Sequence, residues 1–253
     1  MSVVELRHVT VTYHTPSGET RAVEDLSLRV EEGEFVSVVG PSGCGKSTLL
    51  SLIAGLIRPD EGEVRVDGAP VRGPNPAVGY MLQQDLLFDW RTVLDNCLLG
   101  LEVQGRRTRA AVARVQRLLR DYGLGDFAHR FPAQLSGGMR QRAALVRTLA
   151  LDPKVLLLDE PFSALDYQTR LQLQQEMSQI FQAQRRTVVM VTHDIAEAVS
   201  MADRVIVLTR RPARLKREYA IDLKPRRSPL QVRESPDFSR YFRDIWRDLD
   251  VHL

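Results

Sequence analysis

The 253-residue sequence predicts an α/β fold with a parallel sheet at its core and a helical insertion between the two halves of that core. Residues 154–158 and 187–192 are continuous apolar segments, the pattern of strands buried on both faces of a parallel sheet. A helix predicted over residues 167–185 supplies the crossover connection that such strands need. Between residues 85 and 149 the apolar spacing changes to a helical period, which indicates the insertion.

The remaining elements follow from local patterns along the chain. Before the insertion, apolar stretches separated by Gly18 and by the turn at residues 31–34 predict five strands and one helix. The strands are predicted over residues 3–13, 22–30, 35–39, 62–66 and 78–81, and the helix over residues 47–56. Inside the insertion, arginines occupy the faces away from the apolar stripe, so we predict that they are solvated. After the crossover helix, a further strand is predicted over residues 204–209.

The composition is that of a soluble globular protein, with 43% hydrophobic and 26% charged residues. No apolar run approaches the ~18 residues of a membrane span, and no secretory signal is visible at the N-terminus. Cys44 and Cys97 lie far apart without metal-ligand spacing, which disfavours a disulfide framework or zinc site and favours a reducing cytoplasm. Residues 210–253 contain 12 Lys and Arg against 7 Asp and Glu, whereas the rest contains 23 against 25. This asymmetry indicates a solvated basic tail rather than a nucleic-acid-binding body.

A glycine-rich segment, GPSGCGKST, lies between a predicted strand and a predicted helix and fits the pattern G-x-x-x-x-G-K-[ST]. Its glycines allow backbone N–H groups to close around phosphates, Lys46 can reach the terminal phosphates, and the Ser47 hydroxyl can ligate Mg²⁺. A glycine-rich turn alone would be weak evidence, but the Lys-Ser pair in this context predicts a nucleotide site. The predicted phosphate-binding residues are Gly40, Pro41, Ser42, Gly43, Cys44, Gly45, Lys46, Ser47 and Thr48.

Two acidic residues, Asp159 and Glu160, end the apolar strand over residues 154–158. Adjacent strand residues point to opposite faces, so Asp159 can hold Mg²⁺ while Glu160 polarises an attacking water. An isolated acidic pair is more often a turn or a helix cap, but next to a phosphate loop we predict a catalytic role. His193 follows the neighbouring buried strand and is predicted to sense phosphate. The alternative is a structural histidine at a helix start that is capped by Asp194.

A second serine- and glycine-rich segment, LSGGM at residues 135–139, also precedes a predicted helix and is a second candidate anion site. Taken together, the motifs resemble the nucleotide-binding subunit of ATP-binding cassette (ABC) transporters over residues 3 to 210. The resemblance rests on the phosphate loop, Gln83 in MLQQD, LSGGM, LLLDEP at 156–161, SALD at 163–166 and His193 in family order.

The resemblance implies a P-loop NTPase core with a parallel sheet, an N-terminal antiparallel β subdomain and an inserted α-helical subdomain. By this comparison the core and β subdomain occupy residues 1–84 and 150–210, the helical subdomain 85–149, and a C-terminal tail 211–253. The implied activity is ATP hydrolysis with Mg²⁺ in an ATP-bound homodimer. Each ATP would then lie between the phosphate loop of one chain and the LSGGM segment of the other.

Individual roles are implied in the same way. Lys46, Gln83, Glu160 and His193 would act in catalysis, and Ser47, Gln83 and Asp159 would hold the metal ion. Tyr13 would stack on adenine with Val23 packing nearby, Asp166 would bridge the dimer, and Met139 stands where glutamine is usual. The segment contributed to the partner's ATP would be Ser136, Gly137 and Gly138.

The segment MLQQDLLFDWRTVLDN is similar to the nitrate, taurine and aliphatic-sulfonate branch of importers, although Asp89 stands where proline is common. This similarity implies a peripheral subunit at the cytoplasmic face of the inner membrane, with two transmembrane permease subunits and, indirectly, a solute-binding protein. The solute would be of the nitrate, sulfonate or taurine type, or a thiamine precursor. The alternative is a non-transport ABC ATPase acting on nucleic acid or the ribosome. The single cassette without sustained heptads disfavours it, so no nucleic-acid partner is expected.

The tail is predicted to end in a short amphipathic helix packed against the body. Prolines at 225, 229 and 236 preclude one long helix. The apolar residues that recur at helical spacing are Phe238, Tyr241, Phe242, Ile245, Trp246 and Leu249.

Overall fold

A computed structural model describes residues 2–16, 18–223 and 229–249. Its larger sheet has six strands in the order β10-β9-β3-β8-β7-β6, and all but β10 run parallel. The strands are β3 (Phe35–Val39), β6 (Val78–Met81), β7 (Val155–Asp159), β8 (Thr187–Thr192), β9 (Arg204–Leu208) and β10 (Leu215–Ala220). The predicted parallel core is therefore present, and the carboxyl ends of its strands share one edge.

The smaller sheet is antiparallel and has the strand order β2-β1-β4-β5. Its strands are β1 (Ser2–Thr15), β2 (Gly18–Glu31), β4 (Glu61–Val66) and β5 (Ala69–Pro70). This sheet and helix α1 (Lys46–Ala54) cover one face of the parallel sheet, where Val155 and Leu157 belong to the shared core. Leu156 and Leu158 belong to a second core on the opposite face. The strand is apolar throughout because it is buried from both sides.

The insertion consists of helices α2 (Val93–Val103), α3 (Arg109–Asp121) and α4 (Gly137–Leu149), with short 3₁₀ helices at Gly125–Phe127 and Pro132–Gln134. Each α-helix begins at a hydroxyl side chain, from Thr92, Thr108 or Ser136, that accepts a backbone N–H of the first turn. Helix α5 (Tyr167–Gln184) is the crossover between β7 and β8, and α6 (Ile195–Met201) connects β8 to β9.

The tail forms β10, α7 (Pro229–Arg233) and α8 (Pro236–Asp248). The predicted amphipathic helix is confirmed, since Ile245 is fully buried and Phe238, Tyr241 and Phe242 pack against the core. Trp246 was predicted on the packed face but is 38% exposed, because the neighbouring elements do not cover that part of the helix. Pro225 and residues 250–253 lie outside the described residues. In the described part of the chain, every helix is too short or too polar to cross a membrane.

Candidate functional site

The phosphate loop connects the buried strand β3 to helix α1. Gly45 has φ 128°, and a Cβ there would lie 2.7 Å from the carbonyl oxygen of Ala22, so no other residue fits without a shift. The Lys46 ammonium donates to the carbonyl oxygens of Gly40 at 2.8 Å and Pro41 at 3.0 Å. No side-chain hydrogen bond caps the start of α1, and an uncapped helix N-terminus beside the Lys46 ammonium favours a bound anion such as phosphate.

Asp159 lies beside this loop at the carboxyl end of β7. Its Oδ1 accepts a hydrogen bond from Ser47 Oγ at 3.3 Å, and its Oδ2 accepts one from Tyr80 OH at 3.1 Å. Burial raises the pKa of Asp159 above its ordinary value, against the opposing effect of these two hydrogen bonds. The hydroxyl of Ser47 and the carboxylate of Asp159 are the hard oxygen donors that Mg²⁺ prefers, so the predicted metal-binding pair fits that ion. The sequence did not single out Tyr80.

Glu160 turns away from the strand in the left-handed region, with φ 45°, and its N–H donates to the Val191 carbonyl at 3.0 Å. Its Oε2 accepts from Gln83 Nε2 at 3.2 Å and lies 3.2 Å from His193 Nδ1. Three predicted catalytic residues from separate loops therefore meet at one carboxylate oxygen. They line a cleft of about 680 Å³.

Tyr13 and Val23, two predicted nucleotide-binding residues on the other side of the loop, differ in their exposure to solvent. The Tyr13 hydroxyl lies 3.2 Å from Thr48 Oγ1 and the side chain is exposed, so stacking on adenine stays a prediction. Val23, in contrast, is fully buried in the core behind the loop. The packing of Val23 near adenine also stays a prediction. Arg211, which the sequence did not single out, donates to the Gly43 carbonyl through Nε at 2.9 Å and Nη2 at 2.6 Å.

Among the described residues, the hydrogen bonds of the LSGGM segment are local. The Ser136 side chain caps α4 by accepting from the Met139 N–H at 3.3 Å, and Ser136 and Gly137 are exposed. Asp166 similarly caps α5 by accepting from the Thr169 N–H at 3.1 Å, and hydrogen bonds from the side chain and the backbone of Thr169 lower the pKa of Asp166. Across the described residues, no hydrogen bond or ion pair joins residues 135–139 to residues 40–48.

The segment that follows Gln83 is tied to α4 by three side chains of that helix. Gln141 donates to the Gln83 carbonyl at 3.4 Å, and Arg140 pairs with the Asp85 carboxylate at 2.9 Å. Arg147 donates to the carbonyl oxygens of residues 85 and 86, each at 2.6 Å. Helix α4, which begins at the LSGGM segment, therefore also fixes the position of residues 83–86, which form one wall of the cleft.

Beyond this wall lies an exposed apolar patch formed by Leu86, Phe88 and Trp90. The rings of Phe88 and Trp90 stack with centroids 4.8 Å apart, and Trp90 is 74% exposed. Leu87, between them in sequence, is buried in the core. The patch is thus a surface feature rather than part of the helical core.

Comparison with known proteins decides the family. The family model described as ABC transporter matches residues 23–163. The chain belongs to the ABC transporter family. An uncharacterised ABC transporter ATP-binding protein of Bacillus subtilis (strain 168) is 44% identical over 99% of this chain and 96% of its own length. This ABC protein is also 38% identical to a taurine import ATP-binding protein of Ruegeria pomeroyi, over 97% of the chain and 93% of that protein. A nitrate import ATP-binding protein of Synechocystis sp. is 42% identical over 90% of this chain and 88% of its own length.

The fold of this ABC protein matches that of solved cassettes. A dimeric ATP-binding cassette in a post-hydrolysis state bound to ADP and Pi gives a TM-score of 0.76 at 34% identity, covering 87% of this chain and 99% of that one. The predicted α/β class with its antiparallel subdomain is confirmed. The protein is an ATPase that uses ATP and Mg²⁺.

Proposed function

We propose that this ABC protein is the ATP-hydrolysing subunit of an importer for a small solute. In this proposal two copies close around two ATP molecules at the cytoplasmic face of the membrane, bound to two permease subunits that receive solute from a binding protein. Support comes from the relatives, which include taurine and nitrate import proteins. The observation that carries the proposal is the exposed patch of Leu86, Phe88 and Trp90 next to the Gln83 cleft.

The site residues support hydrolysis by a water activated at Glu160. Both the Gln83 amide and the His193 ring contact Oε2 of this carboxylate, which leaves Oε1 to accept the proton of an attacking water. As the water oxygen bonds to the γ-phosphorus, the bond from phosphorus to the bridging oxygen breaks, and ADP and phosphate leave. Lys46 and the loop N–H groups hold the phosphates throughout.

The metal ion would be held by Ser47, Asp159 and Gln83. Bound there, Mg²⁺ would neutralise phosphate charge. The raised pKa of Asp159 fits this assignment, because a buried carboxylate that lacks a cation is unfavourably charged.

The apolar patch is the expected contact for a cytoplasmic helix of the permease. Stacked aromatic rings exposed to water gain free energy when a partner covers them. Their position directly after Gln83 would connect the permease to the group that contacts Glu160. An ATPase acting on nucleic acid has no need of an apolar surface here, and the described patch carries no excess of basic residues.

The test replaces Phe88 and Trp90 with serine in the affinity-tagged chain expressed in its native host. We expect the double variant to retain basal ATPase activity but to lose an integral membrane permease that co-purifies with the unchanged protein and is identified by mass spectrometry. Trp246→Ser is the matched control, since Trp246 is also exposed but lies on α8. Recovery of ribosomes or DNA instead of a permease would overturn the proposal in favour of the non-transport alternative.

The solute class is tested on the solute-binding protein that co-purifies with the permease. We expect nitrate, taurine, an alkanesulfonate or a thiamine-precursor pyrimidine to raise its melting temperature. A binding protein stabilised only by an unrelated solute would contradict the proposed solute classes while leaving the importer role intact.

A further inference from the structure

A buried carboxyl group lies directly behind the His193 loop. Glu197, on α6, is 3% exposed, and both of its oxygens are engaged. Oε2 accepts from Thr192 Oγ1 at 2.7 Å, and Oε1 accepts from Gln174 Nε2 at 2.9 Å. Gln174 is itself fully buried on α5. Burying such a cluster is unfavourable unless its geometry is maintained, so these side chains hold one another in a defined arrangement.

Glu197 determines the orientation of the residues on both sides of His193. The Thr192 hydroxyl donates to Glu197 and therefore presents its lone pair to the Asp194 N–H, which donates to it at 3.0 Å. Asp194 in turn caps α6 through the N–H groups of Ala196 and Glu197. The imidazole of His193, between these two anchored residues, is thereby placed 3.2 Å from Glu160 Oε2.

The same cluster reaches the C-terminal tail. Gln174 Oε1 accepts from Arg233 Nη2 at 3.0 Å, and Arg233 is the last residue of α7. A continuous hydrogen-bonded chain therefore runs from the tail through Gln174, Glu197 and Thr192 to the residues flanking His193. Among the described residues, no hydrogen bond or ion pair joins these side chains to the phosphate loop at residues 40–48, so we expect them to act on hydrolysis rather than on ATP binding.

The charged groups around Glu197 are Arg170, Asp194 and His193, with Arg233 beyond Gln174. Arg170 approaches the carboxylate at 4.0 Å and also donates to the Leu165 carbonyl at 3.0 Å, next to the segment that would face the partner chain. Burial raises the pKa of Glu197 to about 7, against the lowering effect of the Thr192 hydrogen bond. The charge of this carboxyl group therefore changes near neutral pH.

We infer that Glu197 is a positioning residue for the His193 loop and that Arg233 of the tail acts on it through Gln174. The tail is then a part of the hydrolytic unit, and a displacement of α7 lowers the rate of hydrolysis without weakening ATP binding. The inference concerns the ATPase site and holds for any transported solute.

The test compares Arg233→Ala and Arg233→Lys with Arg243→Ala. Arg243 is the matched control because it is an exposed tail arginine whose Nε donates within its own helix, to the Ser239 carbonyl. We expect Arg233→Ala to lower kcat about fivefold, the effect of one lost hydrogen bond, with KM for ATP nearly unchanged. Arg233→Lys should recover part of the loss, and Arg243→Ala should match the unchanged protein.

NMR of histidine-labelled protein gives a readout that does not depend on the assigned role of His193. The imidazole signal of His193, assigned by its loss in His193→Ala, should shift in Arg233→Ala and in Glu197→Gln. The other four histidines of the chain should not shift. The rate deficit of Glu197→Gln should also be larger at pH 8.5 than at pH 6, where the unchanged protein is itself protonated at Glu197.

An unshifted His193 signal in both variants, with rates equal to those of Arg243→Ala, would overturn the inference. A shifted signal with an unchanged rate would overturn the inferred effect of the tail on hydrolysis and would also argue against the proposed catalytic role of His193.

Discussion

The phosphate loop and the LSGGM segment look alike in sequence, because both are serine- and glycine-rich turns that precede a helix. They differ in their helix caps, in their burial and in their hydrogen-bond partners. The phosphate loop leaves α1 without a side-chain cap and surrounds a buried lysine, with Asp159 bonded to Ser47. In the LSGGM segment, Ser136 caps its own helix, and both Ser136 and Gly137 are exposed.

This difference agrees with our proposal that the phosphate loop is complete within the chain, whereas the LSGGM segment contributes to a site shared with a second copy. The Ser136 oxygen accepts from the Met139 N–H, yet its own O–H remains available to donate to a phosphate. A second copy of the chain is the proposed source of that phosphate. The following predictions test the division between a complete and an incomplete loop, from the largest expected effect to the smallest.

Glu160→Gln should reduce ATP hydrolysis by ~10²-fold or more while ATP binding stays intact. The amide preserves the contact with Gln83 but is no longer a base. ATP should then drive stable dimerisation, measured by size-exclusion chromatography with light scattering. Near-normal turnover in this variant would remove Glu160 from its role, and a monomer in saturating ATP would argue against a shared site.

Ser136→Arg and Gly137→Asp, placed in the Glu160→Gln background, should abolish the ATP-driven dimer but leave the ATP affinity of the monomer nearly unchanged. A bulky or negative side chain blocks the close approach of the partner's phosphates, whereas the residues proposed to bind ATP in the monomer lie in the other loop. Gly137 has ordinary space around a new Cβ, at 3.7 Å from Leu165, so the chain itself should still fold.

Mixing provides the control for this prediction. With Glu160 unchanged in both chains, a heterodimer of a Gly137→Asp chain and a Lys46→Ala chain contains one doubly damaged site and one site built from intact loops. Some ATP-dependent pairing and activity should therefore return. If Gly137→Asp alone destroys ATP binding by the monomer, both loops act on one nucleotide and the division fails.

The smallest effects concern stability in the absence of nucleotide and metal. Because burial raises the folded-state pKa of Asp159, stability is lost as the pH rises through that pKa, and Asp159→Asn should remove this loss. This variant should be more stable to urea at pH 7, by an amount that shrinks as the pH falls toward 3.8, the ordinary pKa of the group. Ser136→Ala should instead lose about 1 kcal/mol at every pH, since only an N-cap is removed. If Asp159→Asn and Ser136→Ala lowered the stability to urea by the same amount, the proposed difference between the two loops would be contradicted.

The sequence by itself determined the strands of the parallel core and the positions of the catalytic motifs along them. Short continuous apolar segments between turn residues favour strands covered on both faces, and the carboxyl ends of parallel strands share one edge. Lys46, Asp159, Glu160 and His193 were predictable as neighbours for that reason. The prediction that the LSGGM segment binds the ATP of a partner chain, and not that of its own chain, came from the family resemblance alone. A serine-glycine turn before a helix has the same sequence pattern in both cases.

Strand and helix patterns could not predict how far neighbouring elements cover a residue. Val23 and Trp246 fit their local patterns equally well, yet one is enclosed and the other emerges at the surface. The edge strand β10 is charged and mostly exposed, so it carries no alternation by which a sequence could reveal it.

Only the tertiary structure decided the hydrogen bonds between distant segments. Arg211 meets the phosphate loop 168 positions away, and Arg233 meets Gln174 59 positions away. No periodic pattern in the sequence predicts either contact, because each contact depends on which segments the packed fold brings together. The buried position of Glu197 has the same origin, since a glutamate in the first turn of a helix is ordinarily solvated and becomes a positioning group only when α5 and α7 close over it.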